Sequence, residues 1–133
     1  MASEVPVARY FIPCLEIVVA SDGRDVTLRS LVHTIVRLAG EPFPCIRERM
    51  ALYALLANGR GEHEFEVELV FFDQGVEQSR RGRGRRIDLG QDPAVVHGLP
   101  IALKNVTFDR PGQYTFHLLC DGRRIAEAHV EVR

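Results

Sequence analysis

Apolar residues along this chain recur in short runs, many with a polar residue at every second position. Gly, Pro, Asp or Asn closes each run, at intervals of about ten residues. This period-two pattern with regular turn punctuation predicts strands over Tyr10–Val19, Val26–Val36, Met50–Ala57, Glu64–Phe72, Val76–Ser79, Ile101–Phe108, Gln113–Cys120 and Arg124–Val132. A weaker one is expected at Arg86–Leu89. About seven or eight short strands in one domain predict an all-β, antiparallel two-layer β-sandwich of Greek-key, immunoglobulin-like character. One segment has a competing helical pattern. Leu28, Leu31, Val32, Ile35 and Leu38 fit helical spacing, with Asp25 or Thr27 as N-cap and Gly40 past the end. Its β-branched residues Val26, Thr27, Val32, Thr34, Ile35 and Val36 favour strand.

The last two runs read as a hairpin. Tyr114, Phe116, Leu118 and Cys120 alternate with polar neighbours, as do Ala126, Ala128, Val130 and Val132. A two-residue Asp121-Gly122 turn would set Phe116 against Glu127, because a slip of one residue turns every side chain over. A three-residue loop, Cys120-Asp121-Gly122, restores parity and predicts Phe116 opposite Ala126 and Tyr114 opposite Ala128. Asp73-Gln74-Gly75 predicts a second bulged turn of the same kind. Pro111-Gly112 shortly before Tyr114 fits a tyrosine corner, in which the phenol bonds back to nearby backbone.

Composition narrows the class further. With 133 residues, 46% of them hydrophobic and 26% charged, the chain suits a single globular domain over residues 1–133. A net charge of −1 supplies no overall field for nucleic acid or anionic membrane. Cys14, Cys45 and Cys120 are odd in number and widely spaced, which argues for free thiols in a reducing cytoplasm. Met1 to Pro6 lacks a basic stretch followed by an apolar one, and Leu15 to Ala20 is too short to span a bilayer. The expected location is cytoplasmic, with no membrane partner.

The runs Phe43-Pro44-Cys45-Ile46, Met50 to Leu55, Gly61 to Val70 and Phe108 to Tyr114 resemble a family of small, uncharacterised bacterial proteins. The resemblance covers about Phe11 to Val132 and implies a sandwich-like all-β fold. Its motifs are structural, so it implies no activity and transfers no functional residue.

Candidate chemistry begins with the run Arg80-Arg81-Gly82-Arg83-Gly84-Arg85-Arg86. Arg80, Arg81, Arg83, Arg85 and Arg86 are the candidate contacts for a polyanion such as nucleic acid. The absence of an interleaved aromatic to stack bases argues against that partner. Glu62, Glu64, Glu66 and Glu68 share a strand face, so the arginines instead serve to neutralise them, Arg80 near Glu68 and Arg86 near Glu62. That register puts Arg81 and Arg83 on the core side, which predicts a bulge or a loop.

The five histidines lack metal-ligand spacing, and the aspartates fall in turns where they bond their own backbone. The acidic turn Asp22 to Asp25 lacks a dense calcium-loop pattern. His117 and His129 are expected on one exposed face but offset, with Gln113 opposite His129. No nucleophile motif or phosphate loop is present, so neither enzyme activity nor a cofactor is expected.

Met50–Ala57 is apolar at every position, and Val70 and Phe72 stand on the nominally outer face of their strand. Tyr53, Leu55, Val70 and Phe72 are therefore the candidate interface. Their cover is expected to come first from a crossing segment such as Gly90–Pro100, then from a second copy or another protein. The predicted role is a non-catalytic protein–protein interaction or accessory module, with polyanion binding as the alternative.

Overall fold

The computed structural model describes residues 3–82 and 84–133. Its strands are β1 (Val7–Val19), β2 (Val26–Leu31), β3 (Thr34–Ile35), β4 (Cys45–Ala57) and β5 (Glu62–Asp73). They continue with β6 (Val76–Arg81), β7 (Arg85–Asp88), β8 (His97–Phe108), β9 (Gly112–Cys120) and β10 (Arg123–Val132). Among the described residues there is no helix. One sheet runs β2-β1-β4-β8; the other runs β3-β10-β9-β5-β6, with β7 also beside β5. Their inner faces pack together as the expected two-layer sandwich.

The described residues form ten strands instead of seven or eight, and one reason lies in Val26–Val36. Ser30 takes φ 56°, the Val32 N–H donates to the Pro13 carbonyl, and the Glu131 N–H donates to the His33 carbonyl. The chain thus leaves the first sheet at Val32 and joins the second at His33. β3 runs parallel to β10, the one parallel ladder among the described residues. This crossing closes one flank of the molecule.

Period-two burial supplies the dry layer. Met50, Leu52, Ala54 and Leu56 of β4 face Phe65, Val67, Leu69 and Phe71 of β5, with Tyr114, Phe116 and Leu118 of β9 beside them. Each such aliphatic or aromatic side chain contributes about 1.5–3 kcal/mol by leaving water. On β8 the inward set changes parity. Leu99, Ile101 and Leu103 face in, then Val106 and Phe108 do, and Asn105 between them takes φ 52°.

Both expected three-residue turns are corrected to two residues. Asp73 pairs with Val76, and Cys120 pairs with Arg123. The central residues all have positive φ: Gln74 at 52° and Gly75 at 78°, Asp121 at 52° and Gly122 at 82°. That is the primed turn whose twist matches the strands it joins. In the C-terminal hairpin a bulge between Arg124 and Ala126 restores parity, so Phe116 faces Ala128 and Tyr114 faces Val130. The expected pairing with Ala126 and Ala128 was short by two residues, one from the shorter turn and one from the bulge. His129 consequently lies opposite Thr115, and Gln113 opposite Glu131.

Tyr114 forms the expected corner. Its hydroxyl donates to the Arg110 carbonyl at 2.7 Å and accepts from the Arg110 N–H at 3.2 Å. The turn aspartates also behave as expected: Asp22, Asp88 and Asp92 each accept from the backbone N–H two residues on.

Candidate functional site

The flank opposite the β2–β3 crossing is bounded by β8 on one sheet and by β6 and β7 on the other. Between these edges lies a half-open cleft of about 660 Å³. Phe65, Val67 and Leu69 of β5 and Leu99, Ile101 and Leu103 of β8 line its floor, while Arg80, Arg81, Arg85 and Lys104 stand at its lip. A concave apolar surface with a few convergent charges is the usual form of a binding site.

Turn length and one register shift decide where the arginines point. Because the Gln74-Gly75 turn holds two residues, Arg81 meets Glu68 and Arg80 meets Leu69, one position away from the expected register. Glu68 pairs with Arg81 and Phe65 pairs with Arg85, so three residues on the arginine side span two on β5. The inward arginines are therefore Arg80 and Arg85, while Arg81 faces outward with Glu68; this corrects the expectation for Arg81. Arg83 lies outside the described residues.

Arg80 reaches across the open flank to Asp109 and donates to the Thr107 carbonyl at 3.1 Å. Its guanidinium also lies 5.5 Å over the Phe71 ring. Arg85 donates to the Pro100 carbonyl at 3.5 Å. These two side chains bridge the sheets at either end of the cleft. On the outer side, Arg86 pairs with Glu62 at 3.3 Å, as expected. Glu68 is bound by Arg81 at 3.2 Å and Arg124 at 2.8 Å, and its side chain is only 4% exposed. Burial pushes its carboxyl up, but the hydrogen bonds and charges of Arg124 and Arg81 outweigh that and hold it below the usual carboxylate range.

The four candidate interface residues do not form one surface. Tyr53 and Leu55 stand half-buried on the outer face of the first sheet, beside Ile12 and Tyr10 of β1. Val70 is buried within the outer face of the second sheet, whereas Phe72 is 65% exposed. Residues 97–100 do not cross over Tyr53 and Leu55 as a cover. They pair edge to edge with β4 in β8, His97 with Leu56 and Pro100 with Tyr53.

A second cluster escaped the sequence reading. His63 is 2% exposed, with Nδ1 2.6 Å from Asp121 Oδ2 and Nε2 2.7 Å from the Arg60 carbonyl. Cys120 completes a group whose donor atoms lie within 4.8 Å of one another. Both imidazole nitrogens are engaged, which leaves no lone pair for a metal. Burial, with the nearby Asp121 charge, pushes the Cys120 thiol up to about 12, so it is no thiolate ligand at neutral pH. Parity of β5 places His63 inward, but only the turn after β9 brings Asp121 to it, and no spacing in the sequence signals that meeting. Lys104 was also missed; its one trace is the polar Lys104-Asn105 step inside an apolar run.

Among the described residues no helix is long and apolar enough to cross a membrane. The fold is similar to part of an alkylpurine DNA glycosylase, AlkC, from Pseudomonas fluorescens bound to DNA containing an abasic site analog. There the TM-score is 0.52 at 18% identity, over 75% of this chain and 27% of that one. It is also similar to part of a beta-glucosidase from Listeria innocua in complex with glucose, with a TM-score of 0.53 at 11% identity, over 98% of this chain and 16% of that one. At these identities the likeness is one of fold, and this chain spans well under a third of either protein. No curated protein matches the sequence. Residues 28–133 match the model of a family of unknown function, DUF6941.

Proposed function

The chain belongs to that family of unknown function, and from its open flank we propose that it is a non-catalytic binding module for another protein. The observation that carries this reading is the cleft between β8 and β6–β7, apolar below and cationic at the lip. Among the described lining residues there is no His, Cys, Ser or Asp, and Glu66 is the one carboxylate. Such a lining offers binding area without a nucleophile held by a base, which favours recognition over chemistry. Three free, buried thiols suit a reducing compartment and support a cytoplasmic location.

The arginine run gives weaker support to polyanion binding. Arg80, Arg81 and Arg86 are each paired with a carboxylate, and they divide between two faces instead of forming one stripe. The test uses anilinonaphthalene sulfonate, an apolar anion, titrated into the folded protein by fluorescence. One saturable site is expected, weakened several-fold by Leu103→Gln and by Lys104→Glu, the latter leaving the melting temperature unchanged because Lys104 is exposed. Absence of saturable binding, or binding indifferent to both substitutions, overturns the reading.

A further inference from the structure

We infer that the occupant of the cleft is an extended, acidic segment of a partner polypeptide, which adds to the free edge of β8 and lays its apolar side chains on the cleft floor. This deepens the proposal above and rests on it. Among the described residues β8 pairs with β4 alone, so its other edge presents unpaired peptide groups along a strand of 12 residues. At two points that edge is already served: Arg85 holds the Pro100 carbonyl and Arg80 the Thr107 carbonyl. Alternate residues of an antiparallel strand direct N–H and C=O to the same side. Ala102 and Lys104, two and four positions beyond Pro100, therefore offer theirs to the open flank. The vacancy between the two bridging arginines accommodates about five extended residues at ~3.3 Å each.

The competing edge is less suited. On β6–β7 the register shifts after Arg81, which breaks the row of peptide groups along that edge.

Charge sets the chemistry of the segment. Arg81 is neutralised by Glu68 and Arg80 by Asp109, whereas neither Arg85 nor Lys104 has a carboxylate partner among the described residues. Both are exposed, Lys104 on β8 and Arg85 across the mouth on β7. A strand laid along Ala102–Lys104 would place its outward carboxylates beside Lys104, and a carboxylate at the end of the segment that reaches Pro100 would lie beside the Arg85 guanidinium. Its remaining side chains, at the alternate positions, fall over Ile101, Leu103 and Val67. Strand addition of this kind draws affinity from main-chain bonds and selectivity from alternate side chains. A second copy is a poorer occupant at this flank, since its own lip is cationic.

The experiment follows backbone amide shifts and hydrogen exchange of the full chain during titration with capped six-residue peptides. The first alternates Glu and Val, the second alternates Lys and Val, and the third is the first with alternate amides N-methylated. Shifts and slowed exchange at Ala102, Leu103 and Lys104 are expected with the first peptide only. The other two should bind about tenfold more weakly or worse, and the double variant Arg85→Glu, Lys104→Glu should reverse the preference between Glu and Lys peptides. Equal binding of the methylated peptide, equal binding of the Lys peptide, or shifts confined to another surface would overturn the inference. If the aromatic sulfonate occupies the cleft and no peptide does, the strand inference falls while the cleft remains a binding site. If neither binds, both fall.

Discussion

The buried imidazole of His63 and the turn carboxylate of Asp121 form an ion pair, Nδ1 to Oδ2 at 2.6 Å. Asp121 spends its other oxygen on the Glu64 N–H at 2.9 Å, so the turn between β9 and β10 is fastened to the start of β5. With Nε2 donating to the Arg60 carbonyl, the second ring proton belongs on Nδ1 and the ring is an imidazolium.

Stability should accordingly vary with pH in a defined direction. Burial lowers the pKa of His63, but the bond to Asp121, the Arg60 carbonyl and the Asp121 charge outweigh it and leave the pKa raised. A raised folded value means that the contribution is complete below the ordinary histidine pKa of about 6.5 and is lost as pH rises through the folded one. The Glu64 N–H, then His63, hold the Asp121 carboxyl down, so its contribution is complete above about pH 4 and is lost as pH falls. The stabilisation from this pair should be greatest between about pH 4 and 6.5 and fade at more alkaline pH, against the opposite trend of His117, whose pKa burial lowers. Asp121→Asn, which tolerates the left-handed turn, should cost about 1–3 kcal/mol at pH 6 and flatten the alkaline slope. A slope unchanged in that variant would contradict the assignment.

Tyr114→Phe removes a single oxygen from a side chain that is 1% exposed. The Arg110 N–H and C=O both lose their partner, and the expected cost is about 1–3 kcal/mol in urea unfolding. A neutral result would mean that water replaces the phenol.

Glu68 is shared by two cations, and either can hold it alone. Arg81→Ala and Arg124→Ala should each be mild, while the double substitution strands a buried carboxylate and should exceed their sum by about 1 kcal/mol. A double-mutant cycle measures the excess; strict additivity would show the arginines to be independent.

Gly122 sits at φ 82°, where a Cβ is strained against the following carbonyl. Gly122→Ala should lower stability by about 1–2 kcal/mol, read from the denaturation midpoint. No change would imply that the turn relaxes to another type.

Cys14, Cys45 and Cys120 have no exposed surface, and burial raises the pKa of all three. In folded protein at pH 8 an aromatic disulfide reagent should label none of them, and after denaturant it should label all three. Fast labelling of the folded chain would place one thiol at the surface.

The sandwich, most strand positions and the Tyr114 corner were legible because inward alternation and turn residues are local signals. Phe116 and Leu118 announce their face within one strand. What failed was counting across a turn. Gln74-Gly75 and Asp121-Gly122 differ by one residue from the loops expected, and one residue exchanges Arg80 for Arg81 at the side of Glu68. The bulge near Ile125 compensated for a turn that parity had seemed to forbid, and nothing in Arg124-Ile125-Ala126 marks it. The cleft was illegible for another reason: it arises between two sheet edges far apart in sequence, and Lys104 and Arg85 come to line one cleft only in the folded chain. Likewise His63 and Asp121 are 58 residues apart.

The guanidinium bridges at the open flank also bear on how the protein behaves at high concentration. A bare strand edge invites any neighbouring edge to zip onto it, yet two copies brought flank to flank would set Arg85 and Lys104 of one against the same cations of the other. Crowding would then raise repulsion at that seam sooner than it raised pairing, and screening by salt would relax it. On the inference drawn above, the same cations that would receive an acidic segment would also hold two such flanks apart.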